Sequence, residues 1–168
     1  MFYSKKAYKI LIGSQQTSPQ FSSIWKSSCQ AKHNIFFWLL LHDRLDTRNL
    51  LSRKKFQLPS YDCATLQCRQ VETLVHLFWT CPMAIQCWDY ICTQRDRNLT
   101  LQEAFFDMRN KLQLPFFMDI LILSSWSIWM IRKNKIFRDE RPTFERWKTI
   151  YLSELNWLKY RIKAKHSN

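Results

Sequence analysis

Apolar residues along this chain recur mostly at intervals of three and four, the spacing of helices that bury one face. The clearest case is a helix expected from about Thr143, with an apolar stripe on one side and cations on the other. The stripe comprises Phe144, Trp147, Tyr151, Leu155, Leu158 and Ile162. A second long helix is expected over about 116–138, because this mostly apolar run ends in "RKNKIFR", where the helix dipole favours cations. Thr100 and Glu103 have capping-box spacing and predict the start of a shorter helix before it.

The central run "IFFWLLL" (35–41) has no polar side and, with its flanks, is longer than an ordinary strand. It predicts a buried helix over about 32–45. Trp38, inside this run, is expected to be a core residue. Asp46 or Thr47 can cap a second, shorter helix that follows at once.

Shorter segments fill the rest of the chain. Residues 4–13 have helical spacing, and residues 14–23 read as a polar linker before Trp25, which is expected in the core. "ETLVHLFWTC" (72–81) predicts a short helix, and Pro82 suits the first turn of the next one. The helical prediction agrees with composition, since one glycine in 168 residues leaves little material for tight β-hairpins.

Charge is concentrated at the two ends of the chain. The formal net charge is +13, with ten Lys and Arg against three Asp and Glu in residues 1–62. Residues 132–168 carry eleven against four, and the middle is close to neutral. An excess of this size indicates a polyanionic partner, most often nucleic acid, although lysine-rich surfaces also serve solubility.

The run at 114–131 is apolar enough to raise the possibility of a membrane span. It contains Asp119 near its middle and three serines, so we expect a helix buried in protein rather than in lipid. The chain starts without the apolar core of a signal peptide. We therefore expect an intracellular protein, nuclear or cytoplasmic and not secreted, in which disulfides are rare.

Three of the six cysteines and one histidine fall within 21 residues, in the order Cys63-x4-Cys68-x7-His76-x4-Cys81. Three cysteines and one histidine form a common structural zinc set, closed to substrate because all four positions are protein ligands. The spacing predicts one structural Zn²⁺ and no catalytic metal. The alternative is that these are ordinary loop thiols beside a helix histidine, and spacing alone leaves both open.

Several stretches together resemble one known family. They are "FYSKKAYKILIG", "SSIWKSSCQAKHNIFFWLLLHDRLDTRNLLSRK", "YDCATLQC", "ETLVHLFWTCPMAIQCWDYIC" and, more weakly, "WSIWMIRKNKIF". In order and wording they resemble the zinc-binding domain that follows the polymerase in plant non-LTR (LINE-type) reverse transcriptases. The resemblance spans about 2–92, with a weaker match at 119–138. Members usually show Cys-x2-Cys at the first pair, so the longer spacing here puts Cys68 most in doubt as a ligand.

The resemblance implies a domain organisation and a fold. We expect a reverse-transcriptase-type zinc-binding domain over 1–95 and a helical C-terminal extension over 96–168. The fold class is mainly α: an irregular helical domain with a small zinc-knuckle-like loop, plus long C-terminal helices. The chain then corresponds to a stand-alone fragment that lacks the polymerase.

The residues needed for catalysis are missing from the sequence. Reverse transcription requires paired aspartates that hold two metal ions, and the chain has no Asp-Asp pair. Its thirteen acidic residues are scattered rather than grouped as a nuclease requires. We expect no enzyme and no small-molecule substrate.

The remaining prediction is binding to the backbone of RNA or DNA, with little sequence readout. The candidate phosphate contacts cluster around the two central helices and are Arg44, Arg48, Arg53, Lys54 and Lys55. One alternative is a helical protein-interaction domain that docks on a polymerase or a similar chain, such as a reverse transcriptase polypeptide. Another is a remnant of a retroelement without function.

Overall fold

The structure is a computed structural model that describes residues 19–65 and 68–166. Within these ranges the chain forms seven α-helices and one π-helical turn. In chain order the elements are α1 (Pro19–Lys26), α2 (Ala31–Leu41), α3 (Arg48–Arg53), the π turn (His76–Thr80), α4 (Pro82–Ile91), α5 (Leu101–Leu112), α6 (Phe117–Arg138) and α7 (Phe144–His166). The described residues contain no β-strand, so the prediction of a mainly α fold is confirmed.

The centre of the fold is α6, which packs against α2, α4, α5 and α7. Two of the polar residues that argued against a membrane span have hydrogen-bond partners inside the protein, whereas the buried hydroxyls of Ser124 and Ser125 have none among the described residues. The Asp119 carboxylate accepts a hydrogen bond from the Ser28 amide at 2.7 Å, and the Ser127 hydroxyl donates to the Leu123 carbonyl at 2.7 Å. Among the described helices, none combines the length and the apolar character that crossing a bilayer requires.

Most predicted helix starts are confirmed. The Thr47 side chain accepts from the Leu50 amide at the start of α3, and Thr100 and Glu103 form the predicted capping box of α5. The stripe predicted for α7 faces the core, with Trp147 fully buried. The helix predicted over residues 4–13 lies outside the described residues.

Three local predictions about α1 and the end of α2 are wrong. Residues 19–23 of the expected linker belong to α1, since Pro19 has the fixed φ that suits a first helical turn. Trp25 is 55% exposed, because the neighbouring Ile24 takes the core position and adjacent helix residues point in different directions. The central helix ends at Leu41 rather than near residue 45. Just after it, Asp43 adopts a positive φ of 50°, which is incompatible with a continuing right-handed helix.

One hydrophobic core includes residues on both sides of residue 95. Phe37 of α2 and Phe105 of α5 are stacked with ring centroids 5.8 Å apart, and Trp88 of α4 lies against the same Phe105 ring. The division into 1–95 and 96–168 stays a prediction. What matters for the site is that α4 and α6 pack against the π turn, and that the Phe105 ring of α5 lies 6.5 Å from the Trp79 ring of that turn.

Candidate metal centre

Cys63 and Cys68 lie in a loop that folds back on itself. Its two arms meet in a single antiparallel bridge between Asp62 and Val71. Next to this bridge, the Cys63 amide donates to the Gln70 carbonyl at 2.7 Å. The fold-back carries the first two thiols to the side of the π turn, which follows within a few residues.

The π turn is what brings His76 and Cys81 to one side. In an α-helix, a separation of five residues leaves two side chains about 140° apart around the axis. Here the Cys81 amide donates to the His76 carbonyl at 2.8 Å, the five-residue bond of a π-helix. The wider turn returns residue 81 towards the side from which residue 76 projects.

Four side chains converge at this point and define the Cys3His cluster: Cys63, Cys68, His76 and Cys81. Their ligand atoms all lie within 4.8 Å of one another. Cys63 Sγ is 3.9 Å from Cys81 Sγ, close to the edge of about 3.8 Å expected for a tetrahedron with Zn–S bonds of about 2.3 Å. Cys68 Sγ is 3.0 Å from His76 Nε2, somewhat shorter than such an edge. The four residues form a potential metal-binding site.

The donor chemistry fits zinc better than a disulfide. All six cysteines are free, and a disulfide requires sulfurs about 2.05 Å apart, far less than the Cys63–Cys81 separation of 3.9 Å. Cys63, His76 and Cys81 are buried, and Cys68 is half-buried. Soft, dehydrated sulfur and imidazole donors with no carboxylate among them are typical of a structural zinc site.

The thiols of the cluster differ in acidity. A hydrogen bond from Cys63 lowers the pKa of Cys81 to about 3. The same hydrogen bond, together with burial, raises the pKa of Cys63, and burial raises the pKa of Cys68. One thiolate therefore lies beside two protonated thiols. Binding of a divalent cation requires release of the remaining protons, so affinity for metal is expected to increase with pH.

Two threonines that sequence reasoning missed surround the cluster. The Thr65 hydroxyl lies 2.8 Å from Cys63 Sγ and 3.0 Å from Cys81 Sγ, where it can donate to a thiolate. The Thr80 hydroxyl lies 3.3 Å from His76 Nδ1. With Nε2 directed at Cys68, a proton on Nδ1 donates to Thr80 and fixes the tautomer that ligation needs. No sequence signal singles out Thr80, because its position beside His76 depends on the π turn.

A buried carboxylate ties the metal loop to its surroundings. Glu72 is fully buried, and it accepts hydrogen bonds from the Ala64 amide at 3.3 Å and from the Arg48 amide at 3.0 Å. Ala64 follows Cys63 directly, and Arg48 is the first residue of α3. Glu72 thus fixes the start of α3 against the loop that carries the first ligand.

The other cysteines lie apart from this cluster. Cys87 and Cys92 are buried core residues, as predicted. Cys29 is half-buried, 3.6 Å from the Asp119 carboxylate. In the part of the chain that the structure describes, no second group of cysteine, histidine or acidic residues has the geometry to hold a metal ion.

The five cations predicted to contact phosphate lie together around α3 and define the basic corner: Arg44, Arg48, Arg53, Lys54 and Lys55. Two of the five cations are paired with carboxylates. Arg53 pairs with Asp43 at 2.6 Å, and Lys54 pairs with Asp46 at 2.9 Å. The Arg48 guanidinium donates to the Asp62 carbonyl at 2.7 Å. The corner therefore retains a positive excess, but a smaller one than the five cations alone indicate.

Trp38 belongs to this surface rather than to the core. Its side chain is half-exposed, and its ring lies 4.3 Å from the His42 ring and 5.5 Å from the Arg44 guanidinium carbon. The prediction that Trp38 is a core residue is therefore wrong, while Phe36 and Phe37 on the opposite side are buried. An apolar run without a polar face could not show which side of α2 meets solvent.

Comparison with known proteins yields one family match. A family model described as zinc-binding in reverse transcriptase matches residues 2–88. The match contains the whole Cys3His cluster and the basic corner, and it ends within α4. No curated protein and no solved structure matches the chain.

Proposed function

Since the chain belongs to the family of zinc-binding domains in reverse transcriptase, we propose that it is a non-catalytic module held together by one structural zinc ion in the Cys3His cluster. The observation that carries this proposal is the convergence of the four ligand atoms within 4.8 Å. A finer assignment, to the LINE-type elements of plants, is supported by the amino-acid sequence of residues 22–54 and is part of the same proposal.

Zinc would act as a cross-link. When bound, such an ion contributes on the order of 10 kcal/mol to the folding of small zinc domains. The loop around Cys63 and Cys68 has few apolar side chains of its own, so cross-linking it to the π turn fixes its shape. With four protein ligands the shell is closed, and the chemistry supplied is structural.

Metal content of the untagged protein tests this assignment. Purified without chelators, the wild-type chain is expected to carry about one zinc per chain by mass spectrometry, and Cys68→Ser substantially less. Cys29→Ser, which removes a half-buried thiol outside the cluster, is the matched control and should retain its zinc. A wild-type protein without zinc would contradict the proposal, and equal zinc in Cys68→Ser would remove Cys68 from the ligand set.

We further propose that the basic corner binds the phosphate backbone of RNA or DNA, with little sequence readout. Five cations against two paired carboxylates leave a net positive surface, and Lys55 makes no ion pair with the described residues. The Glu72 hydrogen bond to the Arg48 amide holds α3 against the metal loop, so the cations are presented on a fixed support.

A filter-binding assay with single-stranded RNA tests the phosphate contacts. Replacing Arg44, Arg48, Lys54 and Lys55 by Ala is expected to abolish binding at moderate salt. The slope of log affinity against log salt concentration should become less negative by about 0.7 for each lost contact to a single strand. The control removes four cations elsewhere: Arg97, Lys111, Lys135 and Arg146 to Ala. Equal losses in both variants would indicate an effect of net charge alone.

A second candidate function is docking on a reverse transcriptase polypeptide. An apolar groove between α2, α5 and α6 favours it, lined by Phe37, Phe105, Phe106, Phe117 and Leu121 among others. Phe106 is 39% exposed, so Phe106→Asp should abolish an association through this groove without unfolding the core. Association that is insensitive to salt and lost in Phe106→Asp would favour docking over phosphate binding.

A further inference from the structure

Two large aromatic rings are exposed side by side on α7, well beyond the residues that the family match covers. Trp157 is 62% exposed and Tyr160 is 59% exposed, and their ring centroids lie 6.3 Å apart at an interplanar angle of 57°. Three positions apart on a helix, they are surface neighbours. We call Trp157 and Tyr160 the stacking pair.

The stacking pair lies in a purely cationic stretch of sequence. Residues 155–168 contain Lys159, Arg161, Lys163 and Lys165 and no Asp or Glu. Lys159 is exposed and lies between the two rings in sequence, whereas Arg161 is turned inward, with its Nε and Nη2 atoms buried. Exposed aromatic rings interleaved with cations are the combination by which proteins hold unpaired nucleic acid strands.

We propose that the stacking pair is a platform for the unpaired bases of a single-stranded nucleic acid, with neighbouring cations against its phosphates. This second contact surface rests on the proposed nucleic-acid-binding function and adds base stacking to it. The tilt of 57° keeps the rings from covering each other, so the outer face of each ring can take one base. Because every base has a π face, the platform accepts any sequence.

Two other occupants fit the same surface less well. A helix that lies on a membrane needs a continuous apolar face. On the exposed side of α7 the apolar residues are interrupted by Thr149, Ser153 and Asn156. A second copy of this chain would present the same cations to the same cations, which opposes a symmetric contact.

The test measures affinity of the full chain for two labelled probes of equal length, a single-stranded RNA and an abasic phosphodiester strand. Trp157→Leu/Tyr160→Leu removes both π systems and keeps apolar bulk, whereas Trp157→Phe/Tyr160→Phe keeps two rings. Leu152→Ala, an exposed apolar truncation on the same helix, is the matched control. Thermal unfolding of each variant shows whether the fold is retained, which is expected because both rings are exposed.

The leucine variant is expected to bind RNA at least about ten-fold more weakly, with the abasic probe and the salt slope unchanged. The phenylalanine variant and Leu152→Ala should stay within about three-fold of wild type. Unchanged RNA affinity in the leucine variant would overturn the platform, as would an equal loss of affinity for the abasic probe. Dimers or vesicle binding that depend on the two rings would also overturn it, because they would indicate a different occupant. If RNA and abasic strand bind equally and only the basic corner variant fails, the platform falls while the proposed function stands. If wild type binds neither probe, both fail.

Discussion

The carboxylate of Glu72 lies 2.8 Å from the guanidinium of Arg132, and both side chains are almost completely buried. Arg132 also donates to the Asp46 carbonyl at 3.1 Å and lies over the Trp129 ring. Arg132 belongs to α6, outside the family match, whereas Glu72 lies inside it. A single buried ion pair therefore joins the metal loop and the start of α3 to the central helix.

Breaking this pair should be costly. Arg132→Met leaves the Glu72 carboxylate buried without its cation, and losing one partner of a buried pair costs about 3–5 kcal/mol of unfolding free energy. Arg146→Met is the control: it breaks a largely exposed pair between Arg146 of α7 and Glu140 in the connection before α7, and it should cost no more than about 1 kcal/mol. Urea unfolding measures both variants. Equal, small losses would show that Glu72 is held by its backbone donors alone.

Removing the hydroxyl next to the histidine should weaken metal binding. Thr80→Val leaves His76 Nδ1 without its partner, and loss of such a partner typically lowers metal affinity by about 10–100-fold. Competition with a chromophoric chelator measures the change. Thr149→Val, which removes a hydroxyl that donates to the Glu145 carbonyl on α7, is the matched control. Unchanged affinity in Thr80→Val would mean that the tautomer is fixed by other groups.

A buried histidine predicts loss of stability in acid. Burial lowers the pKa of His33 from 6.5 to about 4, with Lys32 and Arg161 adding to the effect, although the Glu154 carboxylate lies 3.8 Å away. Below pH 6.5 the unfolded chain takes up a proton that the folded chain refuses, so stability falls as pH drops towards 4. The loss is about 2 kcal/mol between pH 7 and pH 4.5.

The variant His33→Phe isolates this term, because both proteins keep the same Cys3His cluster and its own pH dependence. Urea unfolding at pH 7 and pH 4.5 should show a smaller acid-induced loss in His33→Phe than in wild type. Equal losses in the two proteins would mean that the Glu154 carboxylate compensates the burial of His33.

The basic corner should bind more tightly when its competing carboxylates are removed. Asp43→Asn and Asp46→Asn free Arg53 and Lys54 from their ion pairs. Because exposed pairs are worth about 0.2–1 kcal/mol each, removing both should raise the affinity for single-stranded RNA at low salt by about two- to thirty-fold. Asp107→Asn, which frees Lys111 on α5, removes a negative charge elsewhere and should change affinity less. Equal gains would point to net charge rather than to this surface.

Helix positions could be predicted from the sequence wherever local chemistry decides them. The apolar run expected over 116–138 gave α6 to within a residue at its start, and Thr47 and Thr100 cap as their spacing indicated. Which side of each helix faces the core was harder to predict. Trp25 and Trp38 are both large aromatics in apolar surroundings, but packing against neighbours decides which residues of a helix face inward.

The four ligands of the site could be proposed from residue types and spacing, but the backbone geometry that brings them together could not. Spacing alone does not reveal the fold-back that carries Cys63 and Cys68 to the π turn, because it depends on the pairing of the loop's two arms. Nor does sequence show that Glu72 finds Arg132, 60 residues later. Long-range pairs of this kind form only when the helices have packed.

Because His76 and Cys81 are five residues apart, the backbone hydrogen bond between them should be sensitive to whether the four side chains hold a metal ion. An isolated π turn is rare, because the α-helical alternative is the common one for most sequences. Here two donors drawn to one point favour the wider coil, and the Cys81 amide proton closes it. That proton should exchange with deuterium slowly while the cross-link is in place and faster once a chelator has removed it. A single backbone position thus provides a reading of occupancy without any view of the ion.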